Sequence, residues 1–324
     1  MAAANVALVR CENYDRDKVT EAVARQFDLL GGIDRFVKRG DRVLLKPNFI
    51  APRRPQQAPA QTHPAVILAV ARLLKDIGAK PFVSDSPAWT DARTCAQALG
   101  LIEPLTAMGV DVVELNRSRL CPVGSNGRLV TLSTVALEAD AIINLPKFKA
   151  HQQLVTTFAV KNMFGCVSGK RKALWHFRAG DDETQFCTLL IDIYRRLDPV
   201  LTIIDGIVAM QGPGPIRGTD KHLGYLIAGT DPIACELACT RLVEIEPEKI
   251  PVIRTARQIG FGCTSLTDID FLGDALPSRP STDFEWPQLS PIKFSLRHVC
   301  RSTVRQILLR LRAARANRCP SSPY

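Results

Sequence analysis

Apolar and polar positions alternate along the chain in two rhythms. Short apolar runs rich in β-branched residues predict buried strands, and segments whose apolar residues recur every three or four positions predict helices. The predicted strands are "RVLLKPN" (42–48), "PFVSDS" (81–86), "VDVVEL" (110–115), "ADAIINLP" (139–146), "VLTIIDGIVAM" (200–210) and "LGYLIAGTD" (223–231). The predicted helices are "PAVILAVARLLKDIGA" (64–79) and "PIACELACTRLVEI" (232–245), the second with Pro232 in its first turn after Asp231. This alternation predicts an α/β fold, with a mostly parallel sheet covered by helices on both faces.

The chain has 324 residues and divides into three predicted regions. Residues 1–276 are expected to form one α/β domain, in one or two lobes. Residues 277–292 are rich in Pro and Ser and predict a linker, and residues 293–324 predict a basic C-terminal helix and tail. Pro and Arg also crowd residues 51–59, which predicts a mobile loop within the domain.

The predicted C-terminal helix is amphipathic. Its apolar positions are Leu296, Cys300, Val304, Ile307 and Leu311, beside a stripe formed by Arg297, Arg301 and Arg305. Two interpretations are open. The apolar stripe packs on the domain and the arginines are solvated, or residues 293–318 detach and bind an acidic protein partner or an anionic membrane surface.

Charge is unevenly distributed along the chain. The net charge is +10, but residues 293–318 hold eight Lys or Arg and no acid, which leaves only +2 for the rest. Because the domain is nearly neutral and only 6% of residues are aromatic, no specific nucleic-acid binding is expected. The sequence has no apolar run of the roughly 18 residues that span a bilayer and no secretory signal pattern at its first residues, so a cytoplasmic protein is predicted.

The ten cysteines are scattered and include no C-x-x-C pair. This spacing argues against a zinc ribbon or a ferredoxin-type cluster, and buried free thiols are predicted instead. Cys166 could be a nucleophile, but an inert thiol is the favoured interpretation, since no histidine adjoins it in sequence. The histidines show neither H-x-H nor H-E-x-x-H spacing, so no metal site is predicted.

Polar residues close several of the predicted strands. In open α/β sheets, ligands bind at the carboxyl ends of the strands, so these residues are the candidates for a site. They are Lys46, Asn48, Asp85, Asn144, Lys147, Lys149 and Asp205. Several are cationic or carry an amide, which favours a crevice for an anion, although each could instead cap a helix or form a turn.

The segment "INLPKFKAH" (142–151) gives this prediction more detail. Pro146 ends the strand, and the extended residues that follow place Lys147, Lys149 and His151 on one side and Phe148 on the other. A solvated strand at the edge of the sheet would show the same alternation.

The next segment, "LVTTFAVKNMFG", predicts a helix from about Gln152 to Phe164 that ends at Gly165. Lys161 and Asn162 would lie among apolar side chains on such a helix. A buried ammonium is costly, so Lys161 needs a partner, a ligand or a lowered pKa, unless its stem carries the charge to the surface.

Several of these segments resemble the DUF362 family. They are "VLLKPN", "INLPKFKAH", "TTFAVKNMFG", "WH" (175–176), "IIDGIVAMQGPGP" and "AGTDPIACE", and the resemblance covers roughly residues 5–260. It implies an α/β scaffold around these residues, which adds His176 to the candidates, in a family of largely unassigned activity. Members often carry a ferredoxin-like iron–sulfur segment. This chain lacks the C-x₂-C-x₂-C-x₃-C-P run, so no 4Fe–4S cluster of its own is expected. At the level of fold alone, the chain also resembles the N-terminal region of lactate racemase.

The functional prediction is an enzyme of DUF362 type that binds a small carboxylate- or phosphate-bearing substrate or cofactor. Lys46, Lys147, Lys149 and Lys161 would supply positive potential, and His151 would act as the acid/base group. His151 and Lys161 are the predicted catalytic residues. The chemistry would be redox-linked or acid/base chemistry on a carboxylate. The alternative is a non-catalytic accessory protein that docks on a redox or biosynthetic complex through its basic C-terminal helix.

Overall fold

The fold was determined from a computed structural model, which describes residues 3–55, 59–87, 90–167, 172, 175–176, 182–278 and 280–291. The strands are β1 (Ala4–Arg10), β2 (Arg42–Pro47), β3 (Lys80–Val83), β4 (Asp111–Val112), β5 (Ser118–Val123), β6 (Arg128–Ser133), β7 (Ala141–Leu145), β8 (Lys147–His151), β9 (Val155–Thr156), β10 (Leu201–Gln211), β11 (Thr219–Gly229) and β12 (Ile269–Gly273). The α-helices are α1 (Arg16–Leu29), α2 (Pro64–Asp76), α3 (Ala92–Ala98), α4 (Ile102–Ala107), α5 (Thr134–Leu137), α6 (Ala159–Asn162), α7 (Glu183–Leu197), α8 (Pro232–Leu242) and α9 (Pro251–Ile259).

The central sheet has the strand order β12-β1-β11-β10-β7-β2-β3-β4. Most neighbours are parallel, and the exceptions in this path are the antiparallel pairs that β11 makes with β1 and β10. The predicted α/β class with a mostly parallel sheet is therefore confirmed. A separate antiparallel hairpin is formed by β5 and β6.

Alternate residues of the strands face two different apolar cores. In β2, Leu44 belongs to the core that contains side chains of α7, α8 and α9, whereas Val43 and Leu45 belong to the core that contains side chains of α1 to α4. Each fully buried aliphatic side chain contributes about 1.5–3 kcal/mol to stability by leaving water. Helices thus cover both faces, as predicted, and the strand ends are left for polar groups.

Pro146 separates β7 from β8, and the chain stays in the central sheet on both sides of it. The start of β10 pairs with β7 at Leu201 and Ile143, and its later residues pair with β8, where Asp205 lies opposite Lys147. At the junction, the backbone N–H of Asp205 donates to the carbonyl oxygen of Pro146 at 2.9 Å. All five residues of β8 are buried, so the interpretation as a solvated edge is wrong. Phe148 packs against Phe158 on the side away from the lysines.

The predicted helix from Gln152 to Phe164 is wrong over its first half. Val155 and Thr156 form β9, which pairs antiparallel with the end of β8, and α6 begins only at Ala159. Val155 has a positive φ of 63°, which turns the chain between the two strands. The pairing with β8 outweighs the helical pattern here, although a β-branched residue such as Val155 rarely adopts a positive φ.

Gly165 is not a helix C-cap. It lies within the 3₁₀ turn Met163–Cys166 that continues from α6. The predicted strand at 110–115 is also shorter than expected, since β4 contains only Asp111–Val112.

Residues 280–291 pack on the domain. Phe284 is buried and contacts the rings of Phe148 and Trp286. The N–H of Ser290 donates to the carbonyl oxygen of Gln152 at 2.7 Å. This part of the predicted linker is therefore docked, and the three-part division of the chain stays a prediction. The predicted C-terminal helix lies outside the described residues. No helix in the described part of the chain is long and apolar enough to cross a bilayer.

Candidate functional site

The polar residues predicted to form a site come together at the carboxyl ends of the central strands. Lys46 and Asn48 close β2, Asp85 follows β3, Asn144 lies in β7, and Asp205 lies in β10. β8 supplies Lys147, Lys149 and His151, and α6 supplies Lys161 and Asn162. The remaining candidate, His176, is buried against Phe164 and Phe186. It lies close enough to His151 to oppose protonation of that ring.

The first part of the site is a buried ion pair between Lys46 and Asp85. The Nζ of Lys46 lies 2.8 Å from Oδ1 of Asp85, and the two side chains are 0% and 3% exposed. Lys46 also donates to the carbonyl oxygen of Pro47 at 2.7 Å, and Oδ2 of Asp85 accepts the N–H of Phe49 at 2.7 Å. The charges are therefore paired and hydrogen-bonded, as buried charges must be to persist.

A glycine is required at position 165 because the Lys46 and Asp85 side chains lie next to its Cα. A Cβ at Gly165 would lie 2.4 Å from Oδ1 of Asp85 and 2.6 Å from Nζ of Lys46. Both distances are shorter than a van der Waals contact, so any side chain at this position would displace the pair.

The second part is the pair between Lys147 and Asp205, which are also buried. Their Nζ and Oδ2 atoms lie 2.8 Å apart. Tyr14 joins the pair, since its hydroxyl donates to Oδ1 of Asp205 at 2.7 Å and accepts from Lys147 at 2.7 Å. The N–H of His63 donates to Oδ2 of Asp205 at 2.9 Å, and the His63 ring stacks on Tyr14. Burial and Asp205 raise the pKa of Tyr14 well above its usual range, so Tyr14 remains a neutral phenol.

Three asparagine side chains connect Lys46 with Lys149, since Oδ1 of Asn162 also accepts from Nζ of Lys46 at 3.3 Å. The Oδ1 of Asn162 accepts from Asn48 at 2.9 Å, and its amide nitrogen donates to Oδ1 of Asn144 at 2.8 Å. Asn48 then accepts from Nζ of Lys149 at 2.7 Å, and Lys149 also donates to the carbonyl oxygen of Ala60 at 2.9 Å. These amides fix the positions of the lysines while adding no charge.

His151 and Lys161 form a hydrogen-bonded pair whose proton positions follow from geometry. The N–H of Gln153 donates to Nδ1 of His151 at 3.0 Å, so Nδ1 is an acceptor and the proton of the neutral imidazole lies on Nε2. Nε2 lies 3.2 Å from Nζ of Lys161. A hydrogen bond from Nε2–H to Lys161 requires the lone pair of a free amine. The pair therefore favours neutral Lys161.

The electrostatics of this pair agree with its geometry. Burial and then the charge of Lys172 lower the pKa of Lys161 to about 8. Burial, Lys161 and Lys149 hold the pKa of His151 well below its usual range. The role of His151 as the acid/base group stays a prediction. The lowered pKa makes the buried ring a fixed, neutral hydrogen-bond donor.

Lys172 is a further cation of the site that was not among the predicted residues. Its Nζ donates to the carbonyl oxygen of Ser86, next to Asp85. Burial is the main cause that lowers its pKa to about 8, with Asp85 and Lys46 acting in opposite directions. We refer to Lys46, Lys147, Lys149, Lys161 and Lys172 as the lysine cluster.

Two classes of lysine coexist in the cluster. Lys46 and Lys147 each have a carboxylate partner at 2.8 Å. In the described part of the chain, no carboxylate lies within 4.0 Å of Lys149, Lys161 or Lys172. The pKa values of these three lysines are all lowered, first by burial and then, for Lys149 and Lys161, by another lysine. These three are the carboxylate-free lysines.

Glu236 positions α6 and was also not predicted. The N–H of Val160 donates to its Oε1 at 2.9 Å, so the carboxyl group of α8 holds the start of α6 next to Lys161 and Asn162. Burial raises the pKa of Glu236 to about 8. The segment "AGTDPIACE" contains Glu236, but only the fold shows that it meets α6.

Other candidate chemistries have weaker support. Seven of the eight described cysteines are buried, and burial raises the pKa of Cys166 to about 11, which leaves it a thiol near neutral pH. In the described residues, no group of three or more His, Cys, Asp or Glu side chains could hold a metal ion. The glycine-rich loop "GPGPIRG" (212–218) lies directly against β8 at Gly214, where a Cβ would be 1.8 Å from the carbonyl oxygen of Ala150.

Comparison with known proteins agrees with the sequence motifs around this site. The family model described as a domain of unknown function, DUF362, matches residues 43–241, which is more than half of the chain and includes the lysine cluster. The chain belongs to the DUF362 family. A curated relative, the thylakoid-associated protein sll1697 of Synechocystis sp. (strain ATCC 27184 / PCC 6803 / Kazusa), is 36% identical over 307 residues, which cover 94% of this chain and 95% of the relative.

The fold of this DUF362 protein is similar to that of the lactate racemase apoprotein from Thermoanaerobacterium thermosaccharolyticum. The TM-score is 0.50 at 10% sequence identity, and the match covers 76% of this chain and 58% of the racemase chain. At this identity, the likeness concerns the α/β scaffold alone. It agrees with the fold-level resemblance expected from the sequence.

Proposed function

We propose that this DUF362 protein is an enzyme whose lysine cluster binds a small carboxylate- or phosphate-bearing molecule. The observation that carries the proposal is the set of carboxylate-free lysines. Lys172 lowers the pKa of Lys161 and Lys161 lowers that of Lys149, yet the described residues bring no carboxylate within 4.0 Å of Lys149, Lys161 or Lys172. An anionic ligand would remove this repulsion.

The charge balance of the cluster supports an anion over a cation or a neutral ligand. Five lysines face two carboxylates, Asp85 and Asp205, and both carboxylates are already bonded to lysines. Buried charges are stable only when they are paired, so the unpaired part of the cluster has its lowest free energy when a ligand supplies the missing negative charge. Lys161 and Lys172 are partly exposed, which gives such a ligand access.

The same groups suit acid/base chemistry on a carboxylate. Fixed cations stabilise negative charge that develops on an oxyanion or an enolate, and a neutral histidine can donate a hydrogen bond to the same oxygen. His151 is held in that state by Gln153 at Nδ1. The fold-level likeness to a protein named a lactate racemase is in keeping with a small carboxylate as ligand.

Binding of simple anions to the full-length protein tests the proposal. We expect malonate and inorganic phosphate to raise the melting temperature of the wild type, because a ligand that binds only the native state stabilises it by mass action. We expect the Lys161→Met variant to lose most of this shift. The matched control is Lys249→Met, since Lys249 is an exposed lysine whose ion pair with Glu246 lies on the surface. Equal shifts in all three proteins would contradict the proposal.

A second function is favoured by the name of the curated relative. That protein is called thylakoid-associated, which is in keeping with attachment of this chain to a membrane or to an acidic partner on it through residues 293–318. The cytoplasmic location stays a prediction. Truncation after Pro291 should abolish salt-sensitive binding to anionic liposomes and leave the melting temperature nearly unchanged if the helix is a tether. A large fall in melting temperature would indicate a helix packed on the domain.

A further inference from the structure

We propose that Lys161 forms an imine with the carbonyl carbon of an anionic oxo acid or aldehyde. This inference rests on the proposed anion site and deepens it, because it assigns a covalent step to one lysine and a carbonyl group to the ligand. It predicts a substrate that carries both a reactive carbonyl and a carboxylate or phosphate.

The hydrogen bonds of His151 are the geometric basis. Its Nδ1 accepts the N–H of Gln153 at 3.0 Å, and its Nε2 lies 3.2 Å from Nζ of Lys161. A neutral imidazole with Nδ1 as acceptor carries its proton on Nε2, so Nε2–H points to the amine lone pair of Lys161. A free amine is the form of lysine that attacks a carbonyl carbon.

Burial and the neighbouring titratable groups together set the pKa of Lys161. Burial has the largest effect, Lys172 disfavours the ammonium, and Cys187 is the group that favours it. Lys149 is close enough for its own pKa to be lowered by Lys161, and His151 is neutral. The resulting pKa of about 8 leaves roughly a tenth of Lys161 as free amine at pH 7, against well under a thousandth for an ordinary lysine.

The other carboxylate-free lysines provide the anchor for the anionic part of the ligand. Lys149 is fixed by Asn48 and Ala60, and Lys172 is fixed by Ser86, so both Nζ atoms are positioned before a ligand arrives. An anion held by them brings its carbonyl group to Lys161. Such positioning converts a slow bimolecular addition into a fast local one.

The covalent step balances without any further reagent. The lone pair of the Lys161 amine breaks its hydrogen bond with Nε2–H of His151 and adds to the carbonyl carbon. The carbon–oxygen π electrons move to oxygen, which then accepts a hydrogen bond from the freed Nε2–H. The nitrogen then loses two protons to that oxygen, the carbon–oxygen bond breaks, and water leaves as the carbon–nitrogen double bond forms. No oxidant or reductant takes part, and the imine can be hydrolysed by the reverse path.

Reductive trapping on the full-length protein tests the inference. The protein is incubated at pH 7 with glyoxylate and cyanoborohydride, and the adduct on each lysine is quantified by peptide mass spectrometry. We expect Lys161 to be labelled at least about tenfold faster than the exposed Lys249, given the larger free-amine fraction. Acetaldehyde, which lacks an anionic group, should show a much smaller preference, and malonate should protect Lys161. The His151→Gln variant should slow labelling of Lys161 while leaving that of Lys249 unchanged.

The outcomes separate this inference from the proposed function. Labelling of Lys161 no faster than that of Lys249 overturns the imine, whether or not anions bind. If malonate still stabilises the wild type and not the Lys161→Met variant, the anion site stands and only the covalent step is refuted. If malonate neither stabilises nor protects, the anion site itself is refuted. A preference for Lys161 that is the same with acetaldehyde also overturns the inference, because the anionic anchor would then have no effect.

Discussion

Lys46 and Lys149 lie in the same lysine cluster and are equally buried, but their ammonium groups have different partners. Lys46 is bonded to a carboxylate, Asp85, at 2.8 Å. Within the described residues, Lys149 donates to the neutral oxygens of Asn48 and Ala60. The pKa of Lys149 is held well below its usual range by burial and by Lys161. The charge of Lys46 is neutralised by a carboxylate of the protein itself. Lys149, by contrast, is fully protonated only when an anion is bound beside it.

This difference divides the site into a structural half and a binding half. The structural half contains the Lys46–Asp85 and Lys147–Asp205 pairs, and the binding half contains the three carboxylate-free lysines. Removing a cation should therefore have opposite consequences in the two halves. In the structural half it leaves an uncompensated buried carboxylate, and in the binding half it removes a source of repulsion.

The largest effect is expected from Lys46→Met. The variant leaves Asp85 buried without its cation, so the free energy of unfolding should fall by about 3–5 kcal/mol. Chemical denaturation measures the change. The control is Arg72→Met, which breaks an exposed pair with Asp76 and should change stability by less than about 1 kcal/mol. An equal loss of unfolding free energy in the two variants would contradict the structural role of the buried Lys46–Asp85 pair.

A smaller loss is expected from Gly165→Ala. The new Cβ would lie 2.4 Å from Oδ1 of Asp85, and relieving that contact should cost about 1–3 kcal/mol, as overpacking commonly does. Malonate binding should weaken as well, because the displaced pair adjoins the cluster. Gly260→Ala is the control, since Gly260 has a φ of 65° and no neighbour near its Cβ position. It should lower stability through backbone strain alone and leave malonate binding intact.

Lys149→Met should change stability little. The loss of hydrogen bonds to Asn48 and Ala60 is offset by the removal of a buried ammonium, so the free energy of unfolding should stay within about 1 kcal/mol of the wild type. Malonate binding should nevertheless weaken at least about tenfold, as measured by calorimetry. A destabilisation as large as that of Lys46→Met would place Lys149 in the structural half.

The last of these effects concerns pH. The pKa of Lys161 is lowered to about 8 in the native state, so between about pH 8 and 10 the unfolded state binds more protons than the native state at this residue. Stability attributable to Lys161 should therefore rise with pH across this window, even though buried cysteines and tyrosines contribute in the opposite direction. The difference in unfolding free energy between wild type and Lys161→Met isolates the lysine. A difference that falls with rising pH would contradict the lowered pKa.

Local patterns were enough to predict the strands that carry most of the site. The alternation in "KFKAH" after Pro146 predicted an extended segment with Lys147, Lys149 and His151 on one side, and β8 has this form. The polar residues at the strand ends were predicted to meet because parallel strands end at one sheet edge. These signals depend on spacing within a few residues, which a sequence displays directly.

The partners of those residues could not be predicted, since they come from distant parts of the chain. Tyr14 bonds to Asp205 across 191 positions, and Glu236 holds Val160 across 76. The helix expected from Gln152 failed for the same reason, because Val155 and Thr156 pair with β8 instead of continuing a local pattern. Whether a lysine has a carboxylate partner is likewise a property of the fold, so the sequence could not separate Lys46 from Lys149.

The proton balance of anion binding tests the division of the site most directly. Malonate, which is fully ionised at pH 8, is titrated into the wild type by calorimetry in buffers of different ionisation enthalpy. Because Lys161 and Lys172 have pKa values of about 8, each is near half-protonated at this pH, and binding of the anion should draw in roughly one proton at these two lysines, in addition to any proton that Lys149 takes up. The Lys161→Met variant should take up fewer protons for each malonate that it still binds. Malonate binding without net proton uptake, or no binding at all, would contradict the account of three lysines that lack their counter-charge.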